Sequence, residues 1–126
     1  MIKKIKSIGN LAVFKGFEWD SNVRNNGGAA DTFKDINIIY GRNYSGKTSL
    51  SRIIRALEMG RISDKYNNPE FCVKFSDKEV TQNNLTSHGK KIRVFNEDFI
   101  KENLKTPKDT SAIPVTFGVL FLSILF

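Results

Sequence analysis

The first stretch of the chain spaces its apolar residues as strands do. Ile2, Ile5, Ile8, Leu11, Val13, Phe14, Phe17 and Trp19 are β-prone or apolar, and they predict one or two strands with Gly9-Asn10 as the break between them. Asn22 to Asp31 is rich in Asn and Gly and reads as an exposed loop. Ile36-Asn37-Ile38-Ile39-Tyr40 is short, β-branched and mostly apolar, which predicts a buried strand. Gly41 to Gly46 is a turn. From Lys47 the period lengthens. Leu50, Ile53, Ile54 and Leu57 fall at i, i+3, i+4 and i+7 on one face of an amphipathic helix, with Ser51, Arg52, Arg55 and Glu58 elsewhere and Gly60 at the expected C-terminal cap.

Beyond that helix, Asp64 to Glu70 reads as loop. Phe71, Val73 and Phe75 alternate with Cys72 and Lys74, the pattern of a half-buried strand. Ser76-Asp77-Lys78 predicts a hairpin turn and Glu79-Val80-Thr81 the returning strand, followed by polar loop to Lys90. Ile92 to Phe95 reads as a further strand. Asn96 is placed to cap a helix, with Glu97 and Asp98 in its first turn and Phe99, Ile100 and Leu104 toward a core. No internal repeat is present.

The ending changes the picture of domain organisation. From Thr110 to Phe126 there is no charged residue, and Val115 to Phe126 is almost wholly apolar, yet the run is short of the roughly 20 residues a membrane span needs. Residues 1–109 are therefore read as one domain portion and 110–126 as an apolar tail of different character. No secretory signal opens the chain, because charge persists after Met1-Ile2-Lys3-Lys4 where an apolar region should stand. With a single cysteine no disulfide closes within the chain, which fits a reducing cytoplasm.

Composition adds one constraint. The chain has 126 residues, 40% of them hydrophobic and 26% charged, which excludes wholesale disorder. Its 20 basic and 13 acidic residues leave +7, and residues 1–60 carry +5 of it (10 basic, 5 acidic). That excess suits nucleotides, nucleic acid or acidic surfaces, and equally suits solubility.

The candidate chemistry lies at the junction of the third strand and the helix. Gly41-Arg42-Asn43-Tyr44-Ser45-Gly46-Lys47-Thr48 matches G-x-x-x-x-G-K-[ST] at every fixed position, with a strand before it and a helix after. Glycines let the loop wrap phosphate oxygens, and successive N–H groups with the helix N-terminus make an anion nest. Lys47 can reach the β- and γ-phosphates, and the Thr48 hydroxyl can hold Mg²⁺. The nucleotide site is thus Gly41 to Thr48 together with Ser49, with Lys15 a further candidate contact.

The stretch from Ile36 through the loop to Ile53 resembles the Walker A region of an AAA-type ATPase family with ABC/SMC-like heads, which includes the PrrC and RloC anticodon nucleases. Val94-Phe95-Asn96-Glu97-Asp98-Phe99-Ile100 is similar to a second block of those proteins, and Phe14-Lys15-Gly16-Phe17 to the end of their first strand. The resemblance covers about residues 1 to 105 by pattern. It implies an α/β P-loop NTPase fold, here the N-terminal lobe of an ABC/SMC-like head with an antiparallel β portion. It also implies ATP and Mg²⁺ as cofactors, a second ATPase head as partner, and a place in a bacterial defence or nucleic-acid-maintenance system.

Two departures qualify that reading. Tyr44 stands where ABC-like heads usually have Gly, which is tolerable only if its backbone needs no positive φ. The chain also has no Walker B carboxylate, ABC signature or switch histidine, as a gene truncation or frameshift near Ser111 would produce. Nucleotide binding is expected; hydrolysis by this chain alone is not.

The remaining polar residues carry plainer expectations. Asn43 helps shape the loop, and Arg42 is exposed. Asn96 is an N-cap before it is anything like the glutamine that senses Mg²⁺ in ABC-like heads. Trp19 and Phe17 pack rather than stack on a base. His88 sits in a polar loop without a metal-spaced partner, and Cys72 is a structural thiol. Lys90, Lys91 and Arg93, with Lys101, Lys105 and Lys108, form a solvated face. Two other functional readings stay open: a non-enzymatic remnant or interaction module binding nucleic acid or a partner ATPase, and a nucleotide binder tethered to a membrane by Val115 to Phe126.

Overall fold

The computed structural model describes residues 1–103 and the backbone of residues 119–120. Leu104, Lys105, Lys108 and most of the apolar tail lie outside the described residues.

Strand β1 (Ile2–Leu11) is continuous and sits inside a four-stranded antiparallel sheet with β2 (Phe14–Glu18), β4 (Glu70–Phe75) and β5 (Glu79–Thr81), in the order β2-β1-β4-β5. Gly9-Asn10 is not the break expected of it. The chain reverses at Ala12-Val13, where Leu11 pairs with Phe14 and Ala12 takes φ +51°. Irregularities in the β1–β4 register keep Ile2, Ile5, Ile8 and Leu11 on the buried face despite their three-residue spacing. On β4, Phe71, Val73 and Phe75 are buried and Cys72 and Lys74 half-buried, as alternation predicts. The Phe75 N–H donates to the Lys78 carbonyl across the hairpin, whose second strand buries Val80.

After β2 a single turn, α1 (Trp19–Asn22), directs Trp19 into the core. Its indole N–H donates to the Asp31 carbonyl at 2.7 Å, and its ring meets the Phe33 ring edge-on at 4.9 Å. The Asn/Gly segment is a loop closed by an Arg24–Ala30 bridge, with Asn25 accepting from the Gly27 and Ala29 N–H groups.

The segment before the loop departs from expectation. Only β3 (Ile39–Tyr40) is strand, and Ile36, Ile38 and Tyr40 are 84%, 81% and 82% exposed. Its one ladder is the two-residue antiparallel pairing with β6 (Val119–Leu120), Ile39 with Leu120 and Tyr40 with Val119. An apolar run is buried only where neighbours cover both faces, and among the described residues no element covers this one.

Helix α2 (Lys47–Met59) packs Ile53, Ile54, Ala56 and Leu57 against the buried face of the sheet, in one cluster with Ile5, Ile8, Phe71, Val73 and Phe75. It stops at Gly60, whose left-handed φ of +73° lets its N–H return to the Ala56 carbonyl. Arg55, expected away from the apolar face, is buried. Its Nη1 donates to Glu58 at 2.8 Å and its Nη2 to Glu102 at 2.7 Å.

His88 corrects the reading of Thr81 to Lys90 as plain polar loop. A 3-10 turn over Leu85–His88 buries both end residues. The Lys90 N–H donates to His88 Nδ1, so Nε2 carries the proton and donates to the Leu57 carbonyl at 2.8 Å. That bond satisfies a carbonyl in the last turn of α2, which the helix itself leaves without a partner.

Ile92 and Val94 are buried, but Ile92 to Phe95 forms no ladder. The Val94 N–H goes to the Glu58 carboxylate at 3.1 Å instead of to a strand. Asn96 then caps α3 (Glu97–Asn103), its side-chain oxygen accepting from the Phe99 N–H at 2.9 Å. Contrary to the expected core-facing stripe, α3 buries no residue; Phe99 and Ile100 are half-buried. The helix docks through Arg52–Asp98 and Arg55–Glu102, with the Arg55 guanidinium 5.4 Å from the centre of the Phe99 ring.

Arg52 holds the Asp98 carboxyl below the ordinary carboxylate range, chiefly by hydrogen bonding. The pair is about one-third exposed, so its worth is about 1 kcal/mol. A depressed folded pKa makes this contribution present above the unfolded value of about 3.9 and lost as pH falls through the folded value. An NMR titration should place Asp98 below that value in the wild type and return it toward the value in Arg52→Gln. An unshifted wild-type Asp98 would contradict the pairing.

Candidate functional site

The loop 41–46 runs from β3 into the N-terminus of α2. Ser45 N–H donates to the Arg42 carbonyl at 3.2 Å, and Gly46 turns the chain into the helix with φ +98°. Gly46 is buried beneath the β1–β2 hairpin. A Cβ there would stand 2.5 Å from two atoms of the Phe14 ring and 3.2 Å from Val13 Cγ2. At Gly41 the constraint is closeness, since a Cβ would meet Ser45 Oγ at 2.6 Å.

Lys47 folds back over the loop. Its ammonium donates to the Gly41 carbonyl at 2.5 Å and to the Arg42 carbonyl at 2.6 Å, with Ser45 Oγ at 3.4 Å. These contacts concentrate positive charge at the mouth of the loop. No side chain caps the N-terminus of α2, so its first N–H groups stay available to an anion. Thr48 is exposed in that first turn. Ser49 is buried, and the Ser51 hydroxyl donates to the Thr48 carbonyl at 2.8 Å.

Arg42, Asn43, Tyr44 and Ser45 are exposed. Asn43 makes no side-chain hydrogen bond among the described residues, so the loop's shape comes from Lys47 and Ser45. Tyr44 takes φ +63°, against the requirement that its backbone avoid positive φ, and its ring is 96% exposed. The position retains a glycine-like backbone although it carries a tyrosine, which costs about 1–2 kcal/mol.

Lys15 lies on the hairpin that covers Gly46, one residue past Phe14, but its ammonium is engaged by Asn10 Oδ1. Asn10 in turn donates to the Asn67 and Asn68 carbonyls, so Lys15 belongs to a network that ties the hairpin to the 61–69 loop. Among the described residues no group of three or more His, Cys, Asp or Glu could hold a metal ion. No helix of the described residues is long and apolar enough to cross a membrane.

A second concave feature was not legible in the sequence. A cavity of about 690 Å³ opens between the C-terminal half of α2, the 61–66 loop and α3. Its charged lining comes from residues far apart in the chain. The only sequence signal was the i, i+3 spacing of Arg52 and Arg55 opposite the i, i+4 spacing of Asp98 and Glu102.

No curated protein and no solved structure matches the chain. The family described as AAA domain matches residues 17–118, a span that holds the glycine-rich loop, α2, the β4–β5 hairpin and α3. A mixed α/β chain with a four-stranded antiparallel sheet is compatible with an AAA-type domain. That match covers most of the sequence, and the chain belongs to the AAA domain family, whose character is that of nucleotide-binding ATPases.

Proposed function

We propose that this chain binds ATP with Mg²⁺ through residues Gly41 to Ser49, as part of a P-loop ATPase lobe of the ABC/SMC-like type. The observation that carries the reading is the junction itself. A left-handed Gly46 delivers the loop onto an uncapped 13-residue helix, and an ammonium is already folded over the loop's mouth.

The residues fit a triphosphate. The N–H groups of residues 46–49 can receive phosphate oxygens at the positive end of α2. The Lys47 ammonium exchanges the Gly41 and Arg42 carbonyls for phosphate oxygens, a short swing because the carbonyls already hold it at the loop. The Thr48 hydroxyl, exposed in the first turn, can ligate a magnesium ion held jointly with the phosphates. When bound, the metal supplies charge neutralisation between the terminal phosphates. The hairpin bearing Phe14 fixes the loop from below. No group of this chain is assigned to orient an attacking water, and the chain on its own is proposed to bind rather than to turn over. A second ATPase head as partner and a setting in defence or nucleic-acid maintenance belong to the same proposal.

Calorimetry with Mg-ATP on the purified chain tests it. Removing one charge-assisted contact to phosphate costs about 1.5–3 kcal/mol, or roughly 10- to 150-fold in affinity. Lys47→Ala should show at least that loss while its thermal unfolding stays close to wild type. Equal binding by the two proteins would reject the site.

A further inference from the structure

The loop 41–46 is held at its two ends by different means. Its Gly46 end is pinned beneath the β1–β2 hairpin, where Val13 and Phe14 close over the glycine. Its Gly41 end continues from β3, which stands outside the four-stranded sheet. Among the described residues the one ladder partner of β3 is β6, with Ile39 opposite Leu120 and Tyr40 opposite Val119. β6 also lies alongside α2, so this two-residue strand touches the elements on both sides of the loop.

The ladder ends where the loop begins, since Tyr40 directly precedes Gly41. Lys47 fastens the same end through the Gly41 and Arg42 carbonyls, at 2.5 and 2.6 Å. In the nucleotide reading above, that ammonium passes to phosphate oxygens and gives up its hold on both carbonyls. β6 is then the remaining described backbone restraint on the Gly41 end from outside the loop.

Backbone pairing suits this task, because a main-chain ladder fixes a strand in place whatever side chains it bears. Ile36, Ile38 and Tyr40 are more than 80% exposed, and an exposed apolar strand is a template for pairing. Val119 and Leu120 come from the uncharged run 110–126, about eighty residues further along the chain. An antiparallel ladder of two residues carries about two hydrogen bonds, few enough to open locally without unfolding the core.

We propose that β6 is a strap for the nucleotide loop: the chain's own Val119–Leu120 segment, added to β3, holds the Gly41 end in position for the triphosphate. The effect on affinity rests on the nucleotide reading; the hold on β3 does not.

Val119→Pro with Leu120→Pro, made in the full chain, removes both N–H donors of β6. Hydrogen exchange read by mass spectrometry should then be about tenfold faster or more in the peptide from Ile39 to Gly46, and unchanged in β1 and β4. Mg-ATP affinity should fall about tenfold. The urea midpoint should stay near wild type, because the four-stranded sheet is separate from the β3–β6 ladder. Ser111→Pro lies in the same uncharged run but outside the ladder, and should leave exchange and affinity near wild type. An equal effect there would overturn the proposal. So would wild-type exchange in the double variant, or faster exchange with unchanged affinity. An absence of Mg-ATP binding in wild type would reject the nucleotide reading instead, and the exchange comparison would still uphold or overturn the strap.

Cysteine trapping identifies the occupant. In a Cys72→Ser background, Tyr40→Cys with Val119→Cys sets two thiols at opposed positions of the ladder. Cα separations of about 4.5–5.5 Å across an antiparallel pair permit a disulfide. Oxidised glutathione should close that bridge within one chain. A bridge between two chains would give β3 to a second copy and overturn the assignment, as would no bridge at all.

Discussion

Gly46→Ala should both destabilise the fold and abolish ATP binding. The backbone at this position has φ +98°, a conformation that costs an L-residue about 1–2 kcal/mol. A Cβ would also stand 2.5 Å from the Phe14 ring, and an overpacked contact of this kind costs about 1–3 kcal/mol. Together the loss is about 2–5 kcal/mol, a large fraction of what a small domain has. Relief can come from moving Phe14, which packs on Phe17 at 5.5 Å, or from rotating the loop. Rotating the loop misdirects the N–H groups of residues 46–49. Urea denaturation should show the stability loss, and calorimetry the loss of ATP binding. Removing the ring with Phe14→Ala in the Gly46→Ala background should recover the packing part of the stability but not the binding. A Gly46→Ala protein as stable as wild type would mean that the hairpin does not press on the loop.

Sequence reading succeeded where one physical rule governs a whole element. The i, i+3, i+4, i+7 spacing of Leu50, Ile53, Ile54 and Leu57 is a local property, and α2 begins and ends where Lys47 and Gly60 place it. The alternation of Phe71, Val73 and Phe75 and the turn at Ser76-Asp77-Lys78 are likewise local. Failures came where a partner distant in sequence decides. Gly9-Asn10 has the composition of a turn, but pairing with β4 carries β1 straight through it, and Ala12 turns instead. Ile36 to Tyr40 has the composition of a buried strand, yet composition cannot supply the neighbours that bury it. Ile92 to Phe95 alternates as a strand does, but Glu58 takes the Val94 N–H and no ladder forms.

The candidate loop was legible for the same local reason, because spacing between glycines, lysine and threonine is itself the signal. Its finer geometry was not. The positive φ at Tyr44 overrides the side chain's preference, and the contact between Phe14 and Gly46 joins segments about thirty residues apart. The charged cavity was hidden entirely. Arg52 and Arg55 read as the solvated side of α2 until α3 is laid across them, and only then do Asp98 and Glu102 become their partners.

The polar residues that proved structural share one address, the C-terminal half of α2. Glu58 accepts from Arg55 and from the Val94 N–H, and His88 donates to the Leu57 carbonyl. Each ties a chain segment to α2 that has no ladder of its own. The sheet thus supplies the apolar contact surface, and α2 is the element to which the 3-10 turn, the extended 92–95 segment and α3 are all fastened. Its N-terminus carries the glycine-rich loop 41–46, so stability of the attachments and geometry of the loop reside on the same helix.

Phe75 is fully buried in the core that sheet and helix share, and Phe75→Ala should cost about 3–5 kcal/mol, the range for emptying a fully buried aromatic site. The ring has no exposed surface and stacks on the His88 imidazole at 5.5 Å with the planes 7° apart. Truncation therefore leaves a cavity and also frees the imidazole that holds the Leu57 carbonyl. Phe75→Leu keeps most of the volume and should cost about 1.5 kcal/mol or less. His88→Ala leaves the Leu57 carbonyl and the Lys90 N–H without their partners, at about 1–3 kcal/mol for each buried group. Because the two side chains act on one another, Phe75→Ala and His88→Ala together should cost less than the sum of the separate losses, by about 0.5 kcal/mol or more. Urea denaturation of the four proteins measures that coupling. Strict additivity would mean that the stack contributes nothing beyond burial, and that the 3-10 turn is fastened to α2 by the hydrogen bond alone.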